Sequence, residues 1–315
     1  MNIFVNKKEQ RLRAGWRILV QFIMMFLISG LVLFGTQYLW RSSLSLAVAF
    51  PSFVGILISV WLAARFLDKR PFFDFGLKFN SQWGIEFIIG SAIGTIAMGS
   101  IFLVEWSENW IAIQGFGWQH TQGMSFGWTL ATAFLAMLMV GFHEELFSRG
   151  YQVLNLTEGL SYPRLGSSGP VIIAVLTTSS LFGLMHLGNP NASVISTFNI
   201  VLAGIALAIP YILTGSLALS IGIHFSWNFM QGGICGFPVS GMNFQASVVK
   251  ISQRGTNLWT GGAFGPEAGL MGIMGITIII VLSYVYIKVT REKVSIAEPL
   301  TADYRSTTKS DEHKP

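Results

Sequence analysis

The stretch Trp128-Thr-Leu-Ala-Thr-Ala-Phe-Leu-Ala-Met-Leu-Met-Val-Gly-Phe-His143-Glu144-Glu145-Leu-Phe147 runs fifteen residues without a charge, then sets two carboxylates beside a histidine. Its apolar part suits a membrane span, for which about 17–25 residues cross a hydrocarbon core of about 30 Å. Ser148-Arg149-Gly150 follows, and no breaker intervenes before Gly150, so the pattern predicts one continuous helix through the acidic pair. On a helix Glu145 and Arg149 stand four residues apart on one face and can pair. Glu144 is turned about 100° away from Glu145, the angle of one residue in a 3.6-residue turn. One carboxylate is then neutralised by arginine and the other is free. Ionisable groups inside a span are costly and mark function by default, and a free carboxylate in an apolar cavity suits general-base chemistry.

The rest of the chain is of the same kind. Of its 315 residues 52% are hydrophobic and 11% charged, with a mean hydropathy of +0.57, whereas soluble domains carry about 25% charged residues. A soluble enzyme, a disordered chain and a disulfide scaffold are excluded. The net charge is +5, from 20 basic and 15 acidic residues. The basic residues fall in short clusters between apolar runs rather than in a patch on a soluble face, so the bilayer, not nucleic acid, is the expected partner. The single cysteine, Cys235, forms no internal disulfide and is read as a small apolar filler.

Eight spans are predicted: Ile18–Gln37, Leu44–Ala64, Phe87–Val104, Trp128–Phe147, Val171–Leu187, Val194–Leu213, Ser216–Phe229 and Leu270–Ile287. The seventh is short and polar and is credible only when buried among other helices. The first lacks a small-residue cleavage site and is kept as a span. Eight spans put both termini on one side, where 17 Lys and Arg then fall, Arg149 among them as a loop charge; only Arg41, Lys250 and Arg254 lie on the other. By the positive-inside rule both termini are cytoplasmic. The Gly-rich loop Gly232–Glu267 is external, Glu105–Phe126 with Trp106, Trp110 and Trp118 suits an aromatic belt, and the tail after Arg291 is expected to be disordered.

Two further spans carry polar groups on one face at helical spacing. Span five ends in Phe182-Gly183-Leu184-Met185-His186, with Phe182 and His186 on one face and Gly183 permitting close helix approach; span seven contains His224-Phe-Ser-Trp-Asn228. Each pair alone can be interhelical hydrogen-bonding glue, and Glu144, Glu145 and Arg149 could form a salt bridge at the membrane edge. Together, a carboxylate, two histidines and an asparagine suffice to hold and deprotonate a water and to stabilise an oxyanion. His143, with Phe147 as its helical neighbour, is expected off the cavity; His120 and His313 lie in a loop and the tail.

Glu144-Glu145-x-x-x-Arg149-Gly150, Phe182-x-x-x-His186 and His224-x-x-x-Asn228 resemble the three motifs of the CPBP intramembrane endopeptidases, which include the type II CAAX prenyl proteases and bacteriocin-processing, Abi-like proteins. Arg70-Pro71-Phe72 followed by Gly76-Leu77 is family-like too, and the resemblance runs from Arg70 to Gln231. It implies an all-α polytopic membrane protein that hydrolyses peptide bonds of membrane-associated protein or peptide substrates. By motif position Glu144 is implied to activate water, His186 to hold that water or a metal, and His224 and Asn228 to stabilise the oxyanion, with Glu145, Arg149 and Phe182 in support. Glu144, His186 and His224 could hold a divalent metal such as zinc with one position open, or act on water directly. The expected placement is the cell membrane of a bacterium.

Other intramembrane protease classes do not fit. Phe147 stands where H-E-x-x-H needs its second histidine, no predicted span holds an aspartate, and Gly166-Ser167-Ser168-Gly169 reads as a turn beside Pro163 and Pro170 rather than a serine site. A transporter or a non-proteolytic scaffold using the same polar cluster is the alternative, although no inverted repeat of the transporter kind is visible. The implied organisation is an N-terminal segment 1–17, spans one to three in 18–127, a catalytic core 128–231, an external loop 232–269, a last span 270–290 and a tail 291–315. One conflict stands in this reading. Counted from the predicted span ends, Glu144 lies near the inner membrane face, His186 near the outer and His224 midway, so the three converge only if the fourth helix runs on past Arg149 or span five is offset.

Overall fold

The computed structural model describes residues 3–6, 9–36, 44–119 and 125–301. Lys7, Arg41, His120 and, in the tail, Asp303, Asp311 and His313 lie outside the described residues. Among the described residues eight main helices alternate in direction. They are α1 (Ala14–Thr36), α2 (Leu44–Leu62), α3 (Ser81–Ser107), α4 (Phe126–Gly159), α5 (Gly169–Met185), α6 (Val194–Thr214), α7 (Ala218–Asn228) and α8 (Leu270–Thr290). Among the described residues seven of these are long and apolar enough to cross a membrane; α7, with eleven residues, is the exception. Every residue of α7 is buried, which meets the condition set for so short and polar a segment.

Charge and apolarity are distributed inside out. Arg17, Asp68, Glu86, Glu105, Glu145 and Arg149 are buried, while Leu31, Phe34, Ile88 and Val194 project from the outer surface. Lipid favours this arrangement, since it solvates apolar side chains and leaves charges to find partners within the bundle. The molecule is an integral membrane protein.

The start of α1 and the end of α8 share one face of the bundle, the terminal face. There Arg17 donates to Asp68 at 2.6 Å, and Glu158 accepts from Arg11 and Arg17 at 3.0 Å each and from Arg70. The cluster ties the foot of α4 to α1 and to the segment after α2. Arg291 donates to Glu86 at 2.8 Å, joining α8 to α3. The chain after Arg291 is not loose through Thr301: Ala297 N–H donates to the Ile212 carbonyl and Leu300 is buried. On the opposite, loop face Ile111–Phe116 pairs antiparallel with Val249–Gln253, with an irregularity between Ile113 and Gly115. The loop from residue 232 to 267 is therefore built structure rather than a plain connection. Cys235 is buried within it, and burial pushes its thiol up to about 12.

The fourth helix departs most from the sequence reading. It does not end near Phe147 but passes into a π-helical stretch, Leu146–Val153, and continues to Gly159. Arg149 is thus a buried residue inside a helix and not a loop charge. Glu105 likewise belongs to α3 rather than to the following loop. Gly166-Ser167-Ser168 is a turn, as expected.

Candidate active site

The long α4 resolves the conflict over depth. Glu144 stands fifteen residues from Gly159 and His186 seventeen from Gly169. At about 1.5 Å per residue they rise roughly 22 Å and 25 Å from the terminal face, to similar heights. The α7 helix begins deeper, at the level of Gly150. The Leu217 N–H donates to the Gly76 carbonyl, and a Cβ on Gly150 would lie 2.9 Å from the Phe75 carbonyl and 3.1 Å from the Leu217 side chain. From that shared level Glu144 and His224 are six and seven residues along antiparallel helices, so they meet at one height. Gly141 closes the contact from the other side, since a Cβ there would come 2.8 Å from the Phe225 backbone nitrogen. Glycine is what lets these two backbones approach. Gly183 does the same for α5 against α6, where a Cβ would strike Val201 and the Thr197 carbonyl at 2.8 Å.

Glu145 is fully buried. Its Oε1 accepts from Arg149 Nη1 at 2.9 Å and from His224 Nδ1 at 2.7 Å. The arginine bond is the predicted i, i+4 pair. The histidine bond was not foreseen, and it gives Glu145 a second task. With Nδ1 spent as donor to the carboxylate, the ring of His224 is fixed and its Nε2 faces Glu144, at 3.8 Å from Oε2. A carboxylate behind a histidine fixes ring orientation and tautomer in this way at many catalytic centres. Arg149 also donates through Nη2 to the Gly204 carbonyl at 3.0 Å, and its guanidinium lies 4.6 Å from the Phe182 ring centroid. Phe182 in turn packs at 4.8 Å against His186 and edge-on at 6.2 Å against His224. It is the wedge that spaces the two imidazoles. His186 Nδ1 donates to the Phe182 carbonyl at 2.7 Å, which leaves Nε2 for the cavity.

Glu144, His186, His224 and Asn228 all line one cavity of 290 Å³. A second, more apolar cavity of 510 Å³ between α1, α2 and α5 shares Glu144, Phe182 and His186 with the first, so these side chains stand where the two meet. His143 lines both cavities and is buried against Phe53, contrary to its expected place off the cavity. Its ring occupies the side of the α4 turn next to Glu144. The loop-face residues Ser240 and Glu267 complete the wall. The only sequence signal for Glu267 is a lone acid in an otherwise nearly uncharged, glycine-rich loop.

The donor types are those zinc favours, two imidazoles and a carboxylate, and both Nδ1 atoms are anchored as ligand histidines require. Among the described residues, however, no three His, Cys, Asp or Glu side chains gather closely enough to hold a metal ion. In this arrangement the set does not fit a metal, and no step below runs through one.

The geometry defines a carboxylate and histidine centre inside a helical membrane protein. Residues 126–230, the stretch that carries all three motifs, match the family model for type II CAAX prenyl endopeptidase Rce1-like proteins. That match agrees with the resemblance read from the motifs. A protein of Bacillus subtilis (strain 168) described as uncharacterized protein YyaK is 27% identical over 206 residues, 64% of this chain and 64% of that protein. The chain thus aligns with less than two thirds of that relative's length. No solved structure matches the chain.

Proposed function

We propose that the protein is an intramembrane endopeptidase that hydrolyses peptide bonds of membrane-associated protein or peptide substrates with a water activated by Glu144. The observation that supports this most is the convergence of three motifs, spread from Glu144 to Asn228, on one cavity wall with His224 oriented by Glu145. Glu144, not engaged by Arg149, takes a proton from water as that water attacks the scissile carbonyl. His224, held as the imidazolium between the Glu145 and Glu144 carboxylates, donates through Nε2–H, and with the Asn228 amide N–H it stabilises the charge that develops on the carbonyl oxygen. His186, its Nδ1 held by the Phe182 carbonyl, presents Nε2 to orient the water. Glu144 then delivers the proton to the departing amine, so the carboxylate is restored and no proton is gained or lost. The apolar cavity beside the site admits a substrate segment from the bilayer, which agrees with a membrane-associated substrate.

The test is reconstitution of the full chain in liposomes with synthetic membrane-inserting peptides, read by mass spectrometry. New peptide termini with the parent protein and none with E144Q are expected. Equal cleavage by both would overturn the reading.

A further inference from the structure

Glu267 is a carboxyl group in the cavity that this mechanism does not use. It sits in the short turn Pro266–Ala268 just before α8 and lines the cavity with Glu144, His186 and His224. Its Oε2 accepts from the Ser240 backbone N–H at 2.7 Å and from the Ser240 hydroxyl at 3.1 Å. The Ser240 carbonyl accepts from Asn189 Nδ2 at 3.0 Å, three residues beyond His186. The turn itself is committed. Ser240 holds a φ of +46° and Gly241 one of +85°, and a Cβ on Gly241 would run into the Pro190 carbonyl. This wall is built to hold the Glu267 side chain in place in the cavity that Glu144 also lines.

What it lacks is a cation. Among the described residues no Lys or Arg forms an ion pair with Glu267; its hydrogen bonds come from the Ser240 hydroxyl and backbone N–H. Burial pushes its carboxyl above the usual carboxylate range, against the pull of Ser240 and of nearby His186. A carboxylate taken out of water without a counter-charge is costly, and charge-assisted hydrogen bonds from a bound cation relieve that cost.

We infer that Glu267 is a specificity-determining residue, an anionic subsite that receives the basic side chain of a lysine or arginine close to the scissile bond of the substrate. The apolar cavity between α1, α2 and α5 lies on the other side of the catalytic groups, so the substrate has an apolar stretch on one side of the cut and a basic residue on the other. This inference rests on the protease reading and adds the substrate class.

The experiment uses the reconstituted full chain and a set of three peptides with a fixed apolar half, carrying lysine, its neutral isostere norleucine or glutamate at each position across the cut. The parent protein is expected to cleave the best lysine peptide with a kcat/KM at least about tenfold above its norleucine twin, the scale of one added charged contact. E267Q brings the lysine peptide down to the norleucine value, and E267K turns the preference toward a glutamate peptide. A staple that only held the loop would lower cleavage of all three peptides together. The comparison on the parent protein needs no folded variant, and equal cleavage of the lysine and norleucine peptides there would overturn the inference while leaving the protease reading intact. If the parent cleaves no peptide beyond the E144Q background, both fall together.

Discussion

Replacing Glu145 by glutamine separates the two tasks of that residue. The amide keeps nearly the same shape and can still accept one hydrogen bond, so the change removes a charge and little else. Arg149 is then a buried cation without a counter-charge, although it retains the Gly204 carbonyl at 3.0 Å and the Phe182 ring at 4.6 Å. Removing one member of a buried ion pair costs about 3–5 kcal/mol, and the two retained contacts place this case at the low end, about 3 kcal/mol. That corresponds to roughly a hundredfold in the unfolding equilibrium, at about 1.4 kcal/mol per factor of ten. Unfolding in mixed detergent micelles titrated with dodecyl sulfate measures it. The double variant E145Q/R149M removes both charges and is expected to recover most of the lost stability. Hydrolysis stays low in both, because the His224 ring has lost the carboxylate that orients it. A single variant as stable as the parent, or a double variant as unstable as the single, would refute the reasoning.

Glu144→Gln is expected to leave the unfolding transition unchanged while hydrolysis disappears, since Glu144 lines the cavity and makes no ion pair with Arg149; a destabilised E144Q would assign it a structural role instead. Gly141→Ala places a methyl 2.8 Å from the Phe225 backbone nitrogen, and the strain of overpacking predicts a loss of about 1–3 kcal/mol together with falling activity as Glu144 and His224 part. An unchanged transition would mean that α4 and α7 do not approach so closely. The charge split across the bundle predicts both termini in the cytoplasm, and an external signal from a reporter fused at the C-terminus would reverse that orientation.

The span pattern and the three motifs were legible because each is local. Apolar length, a four-residue spacing or a glycine beside a motif reports on one helix at a time. The Glu145–Arg149 bond followed from that logic alone. The bond from His224 to Glu145 did not, because it joins residues 79 positions apart and depends on how closely α4 and α7 pack. The length of α4 was misjudged because Ser148, Arg149 and Gln152 look like an exit into water, whereas the bundle buries them all. Glu267 was invisible as a site residue for a related reason: nothing within the loop announces that its turn folds back over His186.

The pairing of Glu145 with Arg149 inside one helix bears on how the protein is assembled. A charged residue at the centre of a lone inserting helix costs about 2.5–3.5 kcal/mol, and α7 is made some seventy residues after the acidic pair. Because the two charges sit one turn apart on the same helix, α4 can enter the bilayer with them already matched and wait there. His224 then arrives as the third member of a pair that is closed, and its docking on Glu145 aligns the proposed catalytic groups only after the late helices are in place. A half-made chain would thus be stable in the membrane and chemically silent.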